Sequence, residues 1–177
     1  RELYAEAARQ WERRDPIALR ASAWSGISVA AAQLGDAEGA FRALLRLREI
    51  AGETLRAHLV PYVATAEAAH AVSVGDSAAA TAHLDQAVAR LAASPMHLAR
   101  LHYERVLLGL GIDPAVVQAV RAATDASDSP LMLLYALHAD ALVRGDADGL
   151  REASQGFGAL GVVAYAQRAL VDATRFE

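Results

Sequence analysis

Apolar residues recur every three or four positions along most of the chain, and valine and isoleucine nowhere alternate with polar residues as they would in a strand. This spacing predicts an all-α fold of about ten helices. The predicted helices span residues 2–14, 16–34, 37–51, 54–74, 77–93, 95–110, 114–125, 130–144, 147–159 and 162–175. Pro61 follows no capping residue, so it either begins a helix or kinks one that runs from 54 to 74.

Two kinds of residue pair separate the helices. Asp-Pro or Ser-Pro pairs precede four of them, because proline suits the first helical turn and the residue before it avoids helical angles. Gly-Asp pairs at Gly35, Gly75 and Gly145 close three helices, since glycine accepts the left-handed turn and aspartate caps the next helix. A fourth pair, Gly111 and Asp113, has one residue inserted. Their spacing of roughly 35 to 40 residues is typical of stacked antiparallel helix hairpins.

Composition excludes several functions. About a quarter of the residues are alanine, so helices can approach closely, and the absence of cysteine excludes disulfides, thiolate nucleophiles and cysteine-based zinc sites. The net charge of −4 argues against a nucleic-acid-binding surface. The longest apolar run, 131–137, is far short of a membrane span, and no signal peptide is visible. We therefore expect a cytoplasmic location, and we interpret 1–177 as a single helical-repeat domain cut from a longer protein.

The residues after the Gly-Asp pairs resemble the second helix of a tetratricopeptide repeat. Five residues past the glycine stand Ala40 and Ala80, and larger or small apolar residues follow at the next packing positions: Leu44, Leu84, Leu47 and Ala87. The resemblance implies a right-handed solenoid whose first helices line a concave groove. Carried over by position, the groove residues are Ser22, Ser25, Tyr62, Thr65, Arg105, Met132 and Tyr135. Tyr62 and Tyr135 are equally compatible with ordinary packing.

The stretch 150–173 is similar to a more specific unit. Leu150, Phe157, Leu160 and Gly161 precede an alanine-rich helix that contains Ala164, Ala166 and Ala169. This order resembles the final repeat of large MalT-like, LuxR-type bacterial transcriptional regulators, which are signal-transduction ATPases. The nucleotide-binding motif and the helix-turn-helix of that family lie outside this chain.

No catalytic or metal-binding constellation emerges from the polar residues. Glu67 and His70 have the Glu-x-x-His spacing of di-iron bundles, but a second copy is missing. Gly156-Phe157-Gly158 follows no strand, so it is no dinucleotide motif, and no serine lies in a Gly-x-Ser-x-Gly elbow. Arg42, Arg46 and Arg48 alternate with glutamates, which is typical of a solvated face. We predict no catalytic residue, no metal site and no cofactor.

Three hypotheses for function follow. The first is a non-catalytic sensor or scaffold segment of a transcriptional regulator, which binds a protein or peptide partner or a small effector and has no direct contact with nucleic acid or membrane. The second is a self-associating tetratricopeptide-like adaptor, a homodimer unrelated to transcription, because the alanine-rich faces exceed what one layer of hairpins buries. The third is an all-α enzyme with a buried pocket.

Overall fold

The computed structural model of the protein describes residues 2–10, 19–52, 57–91, 94–112, 114–125 and 127–177, and all regular structure in these ranges is helical. The ten helices are α1 (Glu2–Gln10), α2 (Leu19–Gln33), α3 (Ala37–Ala51), α4 (Val60–Ser73), α5 (Ser77–Arg90), α6 (Pro95–Leu107), α7 (Pro114–Thr124), α8 (Pro130–Arg144), α9 (Ala147–Ala159) and α10 (Val163–Ala173). A short 3₁₀ turn, Ala57–Leu59, precedes α4. The all-α prediction is confirmed, while the solenoid stays a prediction.

The three Gly-Asp turns have the geometry that the sequence predicts. Each glycine is left-handed, with φ between 64° and 82°, and each aspartate side chain accepts a hydrogen bond from the backbone N–H three residues on. The backbone N–H of each aspartate also bonds the carbonyl of an alanine five residues earlier, at 2.9 Å. Those alanines are Ala31, Ala71 and Ala141. The same short sequence therefore produces the same helix end and helix start three times.

Four of the described helices have a proline in their first turn. Pro95, Pro114 and Pro130 are the first residues of α6, α7 and α8, as predicted. Pro61 lies in the first turn of α4, so it begins this helix and does not kink it. The pair Asp15-Pro16 lies outside the described residues.

One helix end differs from the prediction. Helix α6 ends at Leu107 and not at 110, because Gly109, two residues before Gly111, already takes the left-handed conformation and the N–H of Leu110 bonds the Arg105 carbonyl. The Ser-Pro pairs before α6 and α8 form no serine caps. The Ser94 hydroxyl bonds the Nδ1 atom of His97 at 2.8 Å instead of a backbone N–H, and Ser129 makes no side-chain cap either.

The helices form two compact units, Arg1–Leu91 and Ala92–Glu177. In the first unit, α2 pairs with α3, α4 pairs with α5, and α4 also packs against both α2 and α3. Its core is made of alanine and small aliphatic residues: Ala21, Leu44, Leu47, Leu59, Val63 and Ala66. A smaller cluster of Ala23, Ile27 and Ala43 lies under Ala5 of α1. The single domain predicted for 1–177 stays a prediction.

In the second unit, each helix from α6 to α10 packs against the next, and α6 also contacts α8. Its core contains large aromatic side chains, with Tyr103, Tyr135 and Phe157 buried and Tyr165 packed against them. The Tyr103 and Tyr135 rings stack, with centroids 4.0 Å apart. This aromatic core surrounds the buried polar group described below.

Candidate functional site

Most of the predicted groove residues are interior. Ser25, Thr65, Met132 and Tyr135 are at most 5% exposed, so in this structure they are packing residues and do not line an open surface. The reason is that they lie on helix faces that other helices cover, such as α2 against α4. Ser22, Tyr62 and Arg105 are half-buried. The concave groove across the repeats stays a prediction.

An open groove lies elsewhere, along α2 and α3 of the first unit. One lobe of about 390 Å³ is lined by Arg20, Trp24, Arg46, Glu49 and Ile50. A second lobe of about 490 Å³ shares Trp24, Arg46 and Glu49 and adds Ile27, Gly39, Arg42, Ala43 and Leu45. Because the lobes share three residues, we treat them as one depression and call it the Trp24 groove.

Charged side chains line the Trp24 groove. Arg20, Arg42, Arg46 and Glu49 are among its described lining residues. Arg46 pairs with Glu49 at 2.8 Å, and Arg42 lies 3.6 Å from Glu38, with all four side chains more than half exposed. Exposed pairs of this kind contribute little to the stability of the fold.

The Glu67 and His70 pair does not form a metal site in the structure. Glu67 instead bridges two helices, with Arg48 of α3 at 2.7 Å and His83 of α5 at 3.3 Å. The His70 ring packs against Phe41, with centroids 5.0 Å apart. Within the described ranges, no three histidine, aspartate or glutamate side chains come together as a metal ion would require.

A buried polar chain connects three helices of the second unit. The Tyr103 hydroxyl of α6 lies 2.6 Å from Nδ1 of His138 in α8, and Nε2 of His138 lies 3.3 Å from Oδ2 of Asp172 in α10. All three side chains are at most 1% exposed. Arg168 donates to the same carboxylate oxygen at 2.8 Å, and Arg175 lies 2.9 Å from the other.

The pKa values of Tyr103 and Asp172 shift in opposite directions. Burial raises the pKa of Tyr103 well above its usual value, and the neighbouring Tyr135 and Glu104 raise it further, so the phenol keeps its proton. Burial also opposes ionisation of Asp172, but hydrogen bonds from His138 and Arg168 outweigh it and hold the pKa of this carboxyl below its usual value. The ionised Asp172 carboxylate accepts from Nε2 of His138, and the Tyr103 hydroxyl pairs with Nδ1 of the same ring.

A tyrosine, a histidine and an aspartate in this order could move a proton in an active site. Here the aromatic core and the helices cover all three, so a substrate cannot reach them. Their chemistry is that of a buried hydrogen-bonded network, which connects α6, α8 and α10.

Sequence reasoning missed this network. Its members are 35 and 34 residues apart, and each lies on a different helix, so no local spacing connects them. A weak signal was present at Asp172, which has arginine four residues before it and three residues after it. His138 was also a polar residue within an apolar run.

Comparison of this chain with protein-family models, with curated proteins and with solved structures gives no match. In the described part of the chain, no helix is both long and apolar enough to cross a membrane.

Proposed function

We propose that this chain is a non-catalytic helical-repeat segment that binds a protein or peptide partner, or a small effector, within a cytoplasmic bacterial transcriptional regulator. The observation that carries the proposal is the repeated hairpin. The three Gly-Asp turns share their backbone bonds and caps, and the residue five positions past each glycine, Ala40, Ala80 or Leu150, is fully buried. Arrays of repeated helix hairpins commonly serve as extended binding surfaces.

The distribution of polar groups favours binding over catalysis. The polar chain of the second unit is sealed by burial, and the surface charges around the Trp24 groove are paired arginines and glutamates. Among the described residues, neither arrangement places an accessible nucleophile beside a base. Trp24 and the arginines are instead residue types that dominate binding energy at protein interfaces.

Chromatin immunoprecipitation tests the regulatory part of this proposal. An epitope tag is added to the gene that encodes this chain, and the bound DNA is sequenced from growing cells. We expect enrichment at a small number of promoters, with an untagged strain as the control. A profile equal to the untagged control would contradict the assignment to transcription.

The non-catalytic part is tested on the purified chain with generic ester, phosphate and amine substrates. We expect no turnover above buffer. Turnover that Trp24→Ala abolishes, in a variant that still folds, would support the enzyme hypothesis instead.

A self-associating adaptor is the second candidate, and α10 favours it. Val163, Leu170 and Val171 are each more than half exposed, and they lie on the uncharged outer face of this helix. Static light scattering over a hundredfold range of concentration distinguishes the two. A dimer that Leu170→Glu dissociates would support the adaptor, and a constant monomer mass would exclude it.

A further inference from the structure

We propose that residues 174–177, which follow α10, form a strap that closes over the turn between α8 and α9 and controls the access of water to Asp172, the end of the buried polar chain. We call this segment the Phe176 strap. The inference goes beyond the proposed function and does not depend on it.

The Phe176 strap covers one of the left-handed turns. A Cβ atom added to Gly145 would lie 3.2 Å from Cδ1 of Phe176, whereas the other left-handed glycines in the described ranges have no such neighbour within 4 Å. The Gly-Asp turns at Gly35 and Gly75 have the same backbone bonds without this contact. The contact is therefore not needed to form the turn, and it belongs to the strap.

An ion pair fixes the end of the strap. Glu177 pairs with Arg151 of α9, so the strap contacts both the turn and the helix that follows the turn. The backbone N–H groups of the two residues before Glu177 bond carbonyls in the last turn of α10, at 3.2 and 3.1 Å. These bonds fold the segment back at the end of α10 and place its aromatic ring beside the turn.

The strap also carries an arginine that covers Asp172. Arg175 lies 2.9 Å from Oδ1 of the buried Asp172 carboxylate, and the Arg175 side chain is more than half exposed, so it separates this oxygen from solvent. The other oxygen, Oδ2, contacts Arg168 and His138. Movement of the strap would remove Arg175 and expose Oδ1 to water, while Oδ2 would keep its partners. Water would then solvate the exposed oxygen in place of Arg175.

The contacts that close the strap are weaker than those that form the buried polar chain. Phe176 is 45% exposed, and the side chains of Arg151 and Glu177 are 41% and 51% exposed. Ion pairs with this exposure are screened by water and contribute little stability. The strap can therefore open as a local unit, at a lower free energy than the unfolding of the helices beneath it.

Carboxyl labelling tests the proposal. The full chain is treated with a water-soluble carbodiimide and glycine ethyl ester, and the labelling rate of each carboxyl group is measured by mass spectrometry of its peptides. The proteins are the wild type, Phe176→Ala, Glu177→Arg and Asp148→Asn. Asp148 is the matched control, because it pairs with the same Arg151 but lies outside the strap. Glu104, a buried carboxyl group of α6, is the reference within each sample.

We expect the labelling rate of Asp172 to rise at least about fivefold with Phe176→Ala and with Glu177→Arg, because each variant increases the population of the open strap. In the same samples the rate at Glu104 should change less than about twofold, since the helices stay folded. Asp148→Asn should leave the Asp172 rate within about twofold of the wild type. If one strap variant fails to fold, the other decides the result.

Three results would overturn the inference. An Asp172 rate that is unchanged in both strap variants would show that the strap does not limit the access of water. A parallel rise at Glu104 would show that the helices unfold together and that the strap does not open separately. A rise with Asp148→Asn equal to that with Glu177→Arg would show that the charges around Arg151 control the rate without the strap. The proposed function would stand in each case.

Discussion

The residue seven positions before the turn glycine is fully buried in both units, but it is Ser28 or Ala68 in the first unit and His138 in the second. Ser28 needs only two backbone carbonyls, those of Ala40 and Ala66, as partners for its hydroxyl. His138 needs the side chains of Tyr103 and Asp172. One turn geometry is thus compatible with a small-residue interior and with an aromatic, ionised one.

The two units also place their ion pairs differently. In the first unit, charged side chains such as Arg46 and Glu49 pair on the surface. In the second unit, the Asp172 carboxylate is buried and pairs with His138, Arg168 and Arg175, and the chain of hydrogen bonds connects three helices. We therefore expect the second unit to depend more on its buried polar groups than the first.

Removing the aromatic core should have the largest effect. Phe157 and Leu47 both lie twelve residues past a turn glycine and are fully buried. Phe157→Ala should lower the free energy of unfolding by about 4 kcal/mol, because its ring also contacts Tyr103, Tyr135 and Tyr165. Leu47→Ala should cost about 3 kcal/mol. Urea unfolding followed by circular dichroism measures both, and a larger loss for Leu47→Ala would contradict the difference between the cores.

Removal of the buried Asp172 carboxylate should have the next largest effect on stability. Asp172→Ala removes the buried carboxylate that pairs with Arg168 and with Nε2 of His138, and it should cost about 3 kcal/mol. The control is Asp148→Ala, which removes an exposed pair with Arg151 and should cost no more than about 0.5 kcal/mol. Equal losses in the two variants would show that the carboxylate of Asp172 is not held as described.

The ionisation of Asp172 should also make the stability depend on pH, with a smaller effect than removal of its side chain. Because the folded state lowers the pKa of Asp172, its contribution is present above the unfolded pKa of about 3.9 and is lost as the pH falls below that value. The stability difference between the wild type and Asp172→Asn should therefore shrink between pH 5 and pH 3. Urea midpoints at four pH values test this, and a constant difference would contradict the ionised state.

Removal of single buried hydroxyl groups should have the smallest effects. Tyr103→Phe removes the hydroxyl that pairs with Nδ1 of His138 and should cost about 2 kcal/mol, since it leaves a buried ring nitrogen unpaired. Ser28→Ala should cost about 1 kcal/mol, because both carbonyls that it contacts belong to helices. If Tyr103→Phe costs less than Ser28→Ala, the hydrogen bond to His138 is not a significant link.

Sequence reasoning succeeded where structure depends on neighbours along the chain. Left-handed glycine and an aspartate cap are local, so the turns at Gly35, Gly75 and Gly145 could be predicted with their bonds. It could not determine which helix faces are covered, because that depends on distant helices. For Tyr135 the sequence left a groove position and ordinary packing open, and the structure stacks its ring on Tyr103 of α6.

The candidate site likewise has features that depend on neighbours along the chain and features that depend on helix packing. The arginines of α3 and their glutamates could be read as an exposed face from helical spacing alone. The Trp24 groove could not be predicted from the sequence. Its lining combines Trp24 of α2 with Arg46 of α3, and only the packing of the two helices creates the depression.

Hydrogen exchange of the backbone amides, compared between the wild type and Asp172→Ala by mass spectrometry, tests the central claim most directly. The account predicts that α6, α8 and α10 lose protection in the variant, because Tyr103, His138 and Asp172 connect these helices, while α2, α3 and α4 keep most of theirs. Equal loss of protection in both units, or none in α6 and α8, would contradict the claim that the buried polar chain holds the second unit.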